Sequence, residues 1–125
     1  MKKTLSIGVM LLWLLFIAGC GKNTTTTSWS ELLWFADCLN KAGAIFYGTE
    51  RCPHCKNQKE LFGVSMEKVN YIDCDKQSAL CQAAGITWYP TWKFADGSVL
   101  QGTQPLEALA SKTNCSMSAT DWTWS

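Results

Sequence analysis

The sequence holds one histidine, three prolines and no block of like charge. A single histidine leaves little for a metal centre. Zinc takes about four ligands, usually from two Cys or His pairs. Cys74 and Cys81 are seven apart, too wide for a second zinc knuckle. No metal is expected. Eleven Lys and Arg face ten Asp and Glu, a net +1. That balance offers no basic surface, so no nucleic-acid partner is expected. Beyond Ala18 no apolar run is long enough to cross a bilayer, which needs about 20 residues. No internal repeat is visible. A chain of 125 residues is one small domain's worth.

Cysteine, by contrast, is plentiful, with seven in the chain. Two of them bracket Cys52-Pro53-His54-Cys55. This tetrapeptide follows an apolar run, Ala44 to Tyr47, that reads as a short buried strand. It precedes Lys56 to Phe62, which reads as a helix ending near Gly63. Such a junction puts the first sulfur at a helix N-terminus. There the unpaired N–H groups and the helix dipole favour a thiolate. Pro53 suits the first turn, where its missing N–H costs nothing. Cys55 lies about one turn on and can close a disulfide with Cys52. The pattern points to thiol–disulfide exchange. Half a zinc site and a purely structural disulfide are the competing readings.

The N-terminus reads as an export signal. Lys2 and Lys3 form a positive start, and Leu5 to Ala18 an apolar stretch. Ile17-Ala18-Gly19-Cys20 then resembles the lipobox of bacterial lipoproteins, in which the cysteine is diacylated and becomes the mature N-terminus. The alternative, an uncut membrane anchor, is disfavoured because the stretch is short for a span. The expected division is a signal peptide over 1–19, a Thr-rich tether over 20–27, a folded domain over 28–115 and a flexible tail over 116–125. Cleavage removes two lysines and takes the net charge to −1. With lipid on Cys20, six cysteines remain, an even number able to form three disulfides in an oxidising compartment.

Within the domain, Ser28-Trp29-Ser30-Glu31 is a capping-box pattern that starts a helix running to about Lys41, with Gly43 as its stop. Trp29, Leu32, Leu33, Ala36 and Leu39 form its core stripe at helical spacing. Val69 to Asp73 reads as a strand and Lys76 to Ala84 as a helix stopped by Gly85. Strand–helix–strand order implies a right-handed parallel crossover. Lys93 to Ala95 and Ser98 to Gln101 are strands joined at Asp96-Gly97, a two-residue hairpin signal. Pro105 to Lys112 is a closing helix, with Pro105 in its first turn. The tail carries Trp122 and Trp124.

This order, ending in an x-Pro-Thr before a hairpin and a last helix, resembles the thioredoxin fold. Tyr47-Gly48, Cys52-Pro53-His54-Cys55, Gln58 to Gly63, Tyr71 to Cys74, Cys81, Ala84-Gly85-Ile86 and Tyr89-Pro90-Thr91-Trp92 resemble one branch of that family. It is the thioredoxin-like domain associated with bacterial and plant homologues of vitamin K epoxide reductase. The resemblance covers about residues 44–112. It implies an α/β fold, thioredoxin-like, with a small mixed four-stranded sheet flanked by helices. It also implies that Cys52 is the nucleophile, Cys55 the resolving thiol and His54 a charge that tunes Cys52. Pro90 is implied to be a cis-proline facing the active site, and Trp88 and Tyr89 to receive an extended substrate peptide. Cys74 and Cys81 match a second cysteine pair of the branch, read as a structural bridge rather than an electron relay. Cys38 and Cys115, placed in the first and last helices, either staple the ends of the domain or remain buried free thiols. Two departures stand out. Arg51 replaces the usual tryptophan before the first cysteine. Phe46 stands where thioredoxins bury an acid that helps deprotonate the resolving thiol, a role Glu50 could take through water.

The expected function is that of an enzyme, a membrane-tethered thiol–disulfide oxidoreductase that oxidises exported protein thiols. Its cofactor is its own Cys52–Cys55 pair and nothing else. A membrane redox partner would reoxidise it, a vitamin K epoxide reductase homologue being the one implied. The expected setting is the extracytoplasmic face of a bacterial membrane, as a monomer. The competing readings are a reductase fed from the membrane, and a non-catalytic peptide-binding lipoprotein in which Trp88, Tyr89 and Trp92 form the patch.

Overall fold

A computed structural model of the chain describes residues 28–117. The signal segment, Cys20, the tether, Trp122 and Trp124 lie outside the described residues. The described chain begins on a capping box. Ser28 N–H donates to Glu31 Oε2 at 2.7 Å, and Glu31 N–H returns a bond to Ser28 Oγ at 3.4 Å. Helix α1 (Trp29–Lys41) follows and stops at Ala42 and Gly43, the latter at φ +79°. Then come strand β1 (Ile45–Gly48), helix α2 (Pro53–Phe62) and a 3-10 segment (Gly63–Lys68). They are followed by β2 (Asn70–Asp73), α3 (Ser78–Ala83), β3 (Thr91–Lys93), β4 (Val99–Gln101) and α4 (Leu106–Thr113). Among these no helix is long and apolar enough to cross a membrane.

The strands form one sheet in the order β2-β1-β3-β4. β1 pairs parallel with β2 and antiparallel with β3, and β3 antiparallel with β4. Side chains alternate across a strand, so Phe46 and Tyr47 face opposite ways. Phe46, Trp92 and Leu100 look into the larger core, built with Phe35, Ala36 and Leu39 of α1, Cys55 and Phe62 of α2, and Leu109 of α4. Tyr47 looks into a smaller cluster with Cys74 and Cys81, edged by Ile45, Ile72, Ala84 and Ile86. Three helices therefore cover one face, and α3 the other. Trp92, fully buried, centres the larger core at 5.0 Å from the Phe46 ring and 5.9 Å from Phe62. It is core and not part of a surface patch. Its indole N–H lacks a hydrogen-bond partner, a cost of about 1–3 kcal/mol that the ring's burial offsets.

The structure departs from the sequence pattern in several places. Trp29 is not in the core but 68% exposed, its ring beside Gly63. Phe35 takes the stripe's place, because the core centres on Leu32, Phe35, Ala36 and Leu39, and the first turn overhangs its edge. α3 starts at Ser78, not Lys76. The preceding residues form a turn in which Lys76 and Gln77 N–H donate to Asp73 O, and Asp75 N–H to Asp73 Oδ1. β3 begins at Thr91, directly after Pro90, because its register sets Trp92 opposite Phe46. The hairpin loop has three residues rather than two. Gly97 N–H bonds Phe94 O, Phe94 N–H bonds Ser98 O, and Gly97 takes φ +83°. That is a β-turn followed by a left-handed glycine. Pro105 caps α4 from outside its first turn. Cys115 lies beyond α4, which left-handed Asn114 closes, with Cys115 N–H on Ala110 O.

Among the described residues two disulfides are present. Cys38–Cys115 ties α1 to the residue after α4 across a separation of 77. Cys74–Cys81 closes a loop with a separation of 7.

Candidate active site

The site is assembled where β1 runs into α2. Cys52 is the N-cap of α2, in extended conformation, and its Sγ accepts the Cys55 N–H at 3.2 Å. A sulfur here sits against the free end of the helix, where negative charge is favoured. Pro53 takes the first helical position. Cys52 is half-buried, whereas Cys55 is fully buried. Both are free thiols. His54 is exposed, and its carbonyl accepts Thr103 Oγ1 at 3.0 Å.

Cys55 is packed against the strand itself. A Cβ on Gly48 would lie 2.9 Å from Cys55 Sγ, so only glycine lets β1 approach this closely. Burial pushes the Cys55 thiol up to about 12, helped by its hydrogen bond and charge coupling with Cys52. A backbone hydrogen bond from Thr49 and the charge of Lys59 act the other way. Cys55 is thus a protonated, shielded thiol behind a partly open one.

The opposite wall is the segment before β3. Tyr89-Pro90 is a cis peptide bond. Thr91 pairs with Tyr47, which sets Pro90 at the level of Gly48 and hence of Cys55. Thr91 Oγ1 donates to Trp88 O at 2.7 Å and shapes the turn. Trp88 is 60% exposed and Tyr89 also faces solvent, while Pro90 is fully buried. Gly102 N–H donates to Pro90 O at 2.8 Å. Gln58, fully buried on α2, holds Gln104 by both backbone groups, at 3.1 and 2.7 Å. One loop, 102–104, therefore fastens the proline to the cysteine helix. Sequence reading named Gln58 only within the resembling stretch and gave neither it nor Thr103 a role. A buried amide in a helix that also carries the motif was the available signal, but its partner lies 46 residues away.

Arg51, next to Cys52, forms two hydrogen bonds to Asp75, at 3.2 and 3.0 Å. Asp75 lies inside the loop closed by Cys74–Cys81, so that bridge steadies a neighbour of the motif. The bridge itself is buried with Tyr47, across the sheet from Cys55. Sulfur-to-sulfur transfer needs contact, and this placement keeps the bridge apart from the Cys52–Cys55 pair. Glu50 is exposed, with Oε1 accepting both Lys59 Nζ at 2.6 Å and Tyr71 OH at 3.3 Å. Among the described residues no group of three or more His, Cys, Asp or Glu could hold a metal ion.

A parallel β-α-β unit, an antiparallel hairpin and a last helix, with Cys-x-x-Cys at the N-terminus of the first crossover helix, give the arrangement of a thioredoxin-like fold. No family model matches the chain. Over 88 residues it is 39% identical to the thiol-disulfide oxidoreductase LTO1 of Arabidopsis thaliana, a match covering 63% of this chain and 23% of that protein. The chain thus spans less than a quarter of that relative's length. Among solved structures it is similar to the thioredoxin Mala s 13 of Malassezia sympodialis, with 25% identity and a TM-score of 0.47 over 62% of this chain and 81% of the other.

Proposed function

We propose that the chain is a membrane-tethered extracytoplasmic thiol–disulfide oxidoreductase that oxidises the thiols of exported proteins. The observation that carries the exchange chemistry is the geometry of the pair, and the tether rests on Ile17-Ala18-Gly19-Cys20. Cys52 Sγ caps the helix, 3.2 Å from the Cys55 N–H, with the Cys55 thiol buried behind it. The other four described cysteines are paired, which leaves these two as the working dithiol. In the oxidised enzyme a substrate thiolate attacks Cys52, and Cys55 leaves as a thiolate that takes a proton. A second substrate thiolate then displaces Cys52. The substrate gains a disulfide, and the enzyme holds the two electrons until a membrane partner removes them. A vitamin K epoxide reductase homologue is the partner class proposed. Exposed Trp88 and Tyr89 beside Pro90 would guide the substrate peptide, and His54 would add positive charge at the helix start.

Equilibration of the chain against glutathione tests the direction. An oxidant should show a potential less negative than the roughly −270 mV of thioredoxin. A value at or below that would make the chain a reductase. Anchoring through Cys20 is tested separately. Cys20→Ala should lose its lipid mass and leave the membrane fraction, and unchanged fractionation would overturn the lipoprotein reading.

A further inference from the structure

Lys59 follows Cys55 by four residues, so both side chains leave the same face of α2. Its side chain is only 22% exposed. Nζ lies 2.6 Å from Glu50 Oε1 and 4.0 Å from the centroid of the Tyr71 ring. Tyr71 OH donates to the same Glu50 oxygen, and its ring packs 5.4 Å from Phe46. Three elements thus hold one ammonium: the loop after β1, α2 and β2. Immobilising a lysine costs side-chain entropy of about 1.5–2 kcal/mol, and a half-exposed ion pair returns about 0–1 kcal/mol. Fold stability alone is a weak reason for this arrangement.

We propose that Lys59, clamped by Glu50 and Tyr71, is a positioning residue that stabilises the thiolate of Cys55. The proposal rests on the exchange reading above and assigns which group manages the resolving sulfur. Phe46, at the level of Tyr71 on the sheet, brings no charge there. The titratable groups that act on Cys55 are Cys52 and Lys59 on α2; Tyr71 on β2 is coupled to it, and Glu50 and Asp73 act on Tyr71 in turn. Tyr71 is raised by burial and stays neutral. Glu50 is lowered by its bond from Lys59 and stays ionised. Asp73 is paired with Lys76 at 3.3 Å. Cys52 raises Cys55, and Lys59 lowers it. In the oxidising direction, Cys55 is the leaving sulfur when the Cys52–Cys55 bond breaks. Retracing that step, the Cys55 thiolate attacks Cys52, the Cys52–Cys55 bond forms, and the outside sulfur departs with its electron pair and takes a proton. The proton from Cys55 goes to solvent. Lys59 favours the Cys55 anion in both directions.

The reduced full-length chain is mixed with an aromatic disulfide that releases a coloured thiolate. The first release reports attack by Cys52, the second attack by Cys55. In Lys59→Met the second release should slow about tenfold at neutral pH, with its pH profile moved up by about one unit. The first release should not change, and Lys59→Arg should restore the second. Lys59→Gln gives the same readout where the Met variant fails to fold. An unmoved second-phase profile in a folded Met or Gln variant overturns the proposal, as does failure of Lys59→Arg to restore it. Absence of the first phase in the wild type would instead overturn the exchange reading itself.

Discussion

Cys52→Ser should reduce insulin-reduction turnover to background, whereas Cys55→Ser should accumulate mixed disulfides with substrate through Cys52. The two sulfurs differ in access and in surroundings. Cys52 is half-buried at the helix cap and receives the Cys55 N–H at 3.2 Å. Cys55 is inaccessible and lies against Gly48. Burial raises its thiol to about 12, so at neutral pH it is held protonated far more firmly than an ordinary thiol at about 8.5. Limiting iodoacetamide should therefore label Cys52 first. The sign of the pH dependence follows. A raised thiol gains its reactive form as pH rises, so attack by Cys55 on the mixed disulfide should accelerate about tenfold per pH unit through the neutral range. Prior alkylation of Cys55, or a trapped adduct on Cys55 in a Cys52→Ser chain, would reverse the roles.

The second large effect is on stability. Replacing Cys38 and Cys115 together with alanine should lower the thermal midpoint far more than the same change at Cys74 and Cys81. The first pair closes a separation of 77 and the second one of 7. In the chain-entropy account these are worth about 4.5 and about 2.5 kcal/mol. At about 4–8 °C per kcal/mol for a domain of this size, the first loss alone could unfold the domain at growth temperature. It would also free the end of α4 from α1. The Cys74/Cys81 variant should keep its turnover, since the pair sits across the sheet from Cys55 and reaches the motif only through Asp75 and Arg51. A folded Cys74/Cys81 variant without turnover would argue for an electron relay, and a larger midpoint loss for that variant would sink the entropy account.

Local rules made much of the molecule readable. The capping box at Ser28 and Glu31, the left-handed stops at Gly43 and Gly85, and Pro53 at the head of α2 each depend on neighbours within about one turn. The Cys-x-x-Cys at a strand–helix junction belongs to the same class. A three-residue spacing and a helix start suffice to bring one sulfur to the cap and the other one turn behind it. The α/β class followed from the order of those elements.

What sequence left open was decided by pairing across distance. Whether Cys38 and Cys115 bond depends on α1 and α4 sharing one face of the sheet, a contact 77 residues apart. Whether Cys74–Cys81 can reach the active thiols depends on strand alternation, which turns Tyr47 away from Phe46 and puts the bridge on the far face. Trp29 lies at the end of an apolar stripe, but the core edge falls short of it, so the ring remains in solvent. Lys59 and Tyr71 fall within stretches that carry the resemblance and Glu50 was weighed as an acid, but nothing local said that the three meet. Parallel pairing of β1 with β2 places Tyr71 opposite Phe46, where the lysine one turn beyond Cys55 can rest on its ring. Short-range chemistry determined which residues could react. Strand register and the packing of helices onto the sheet decided which groups surround them, because those contacts depend on surfaces that no local window contains.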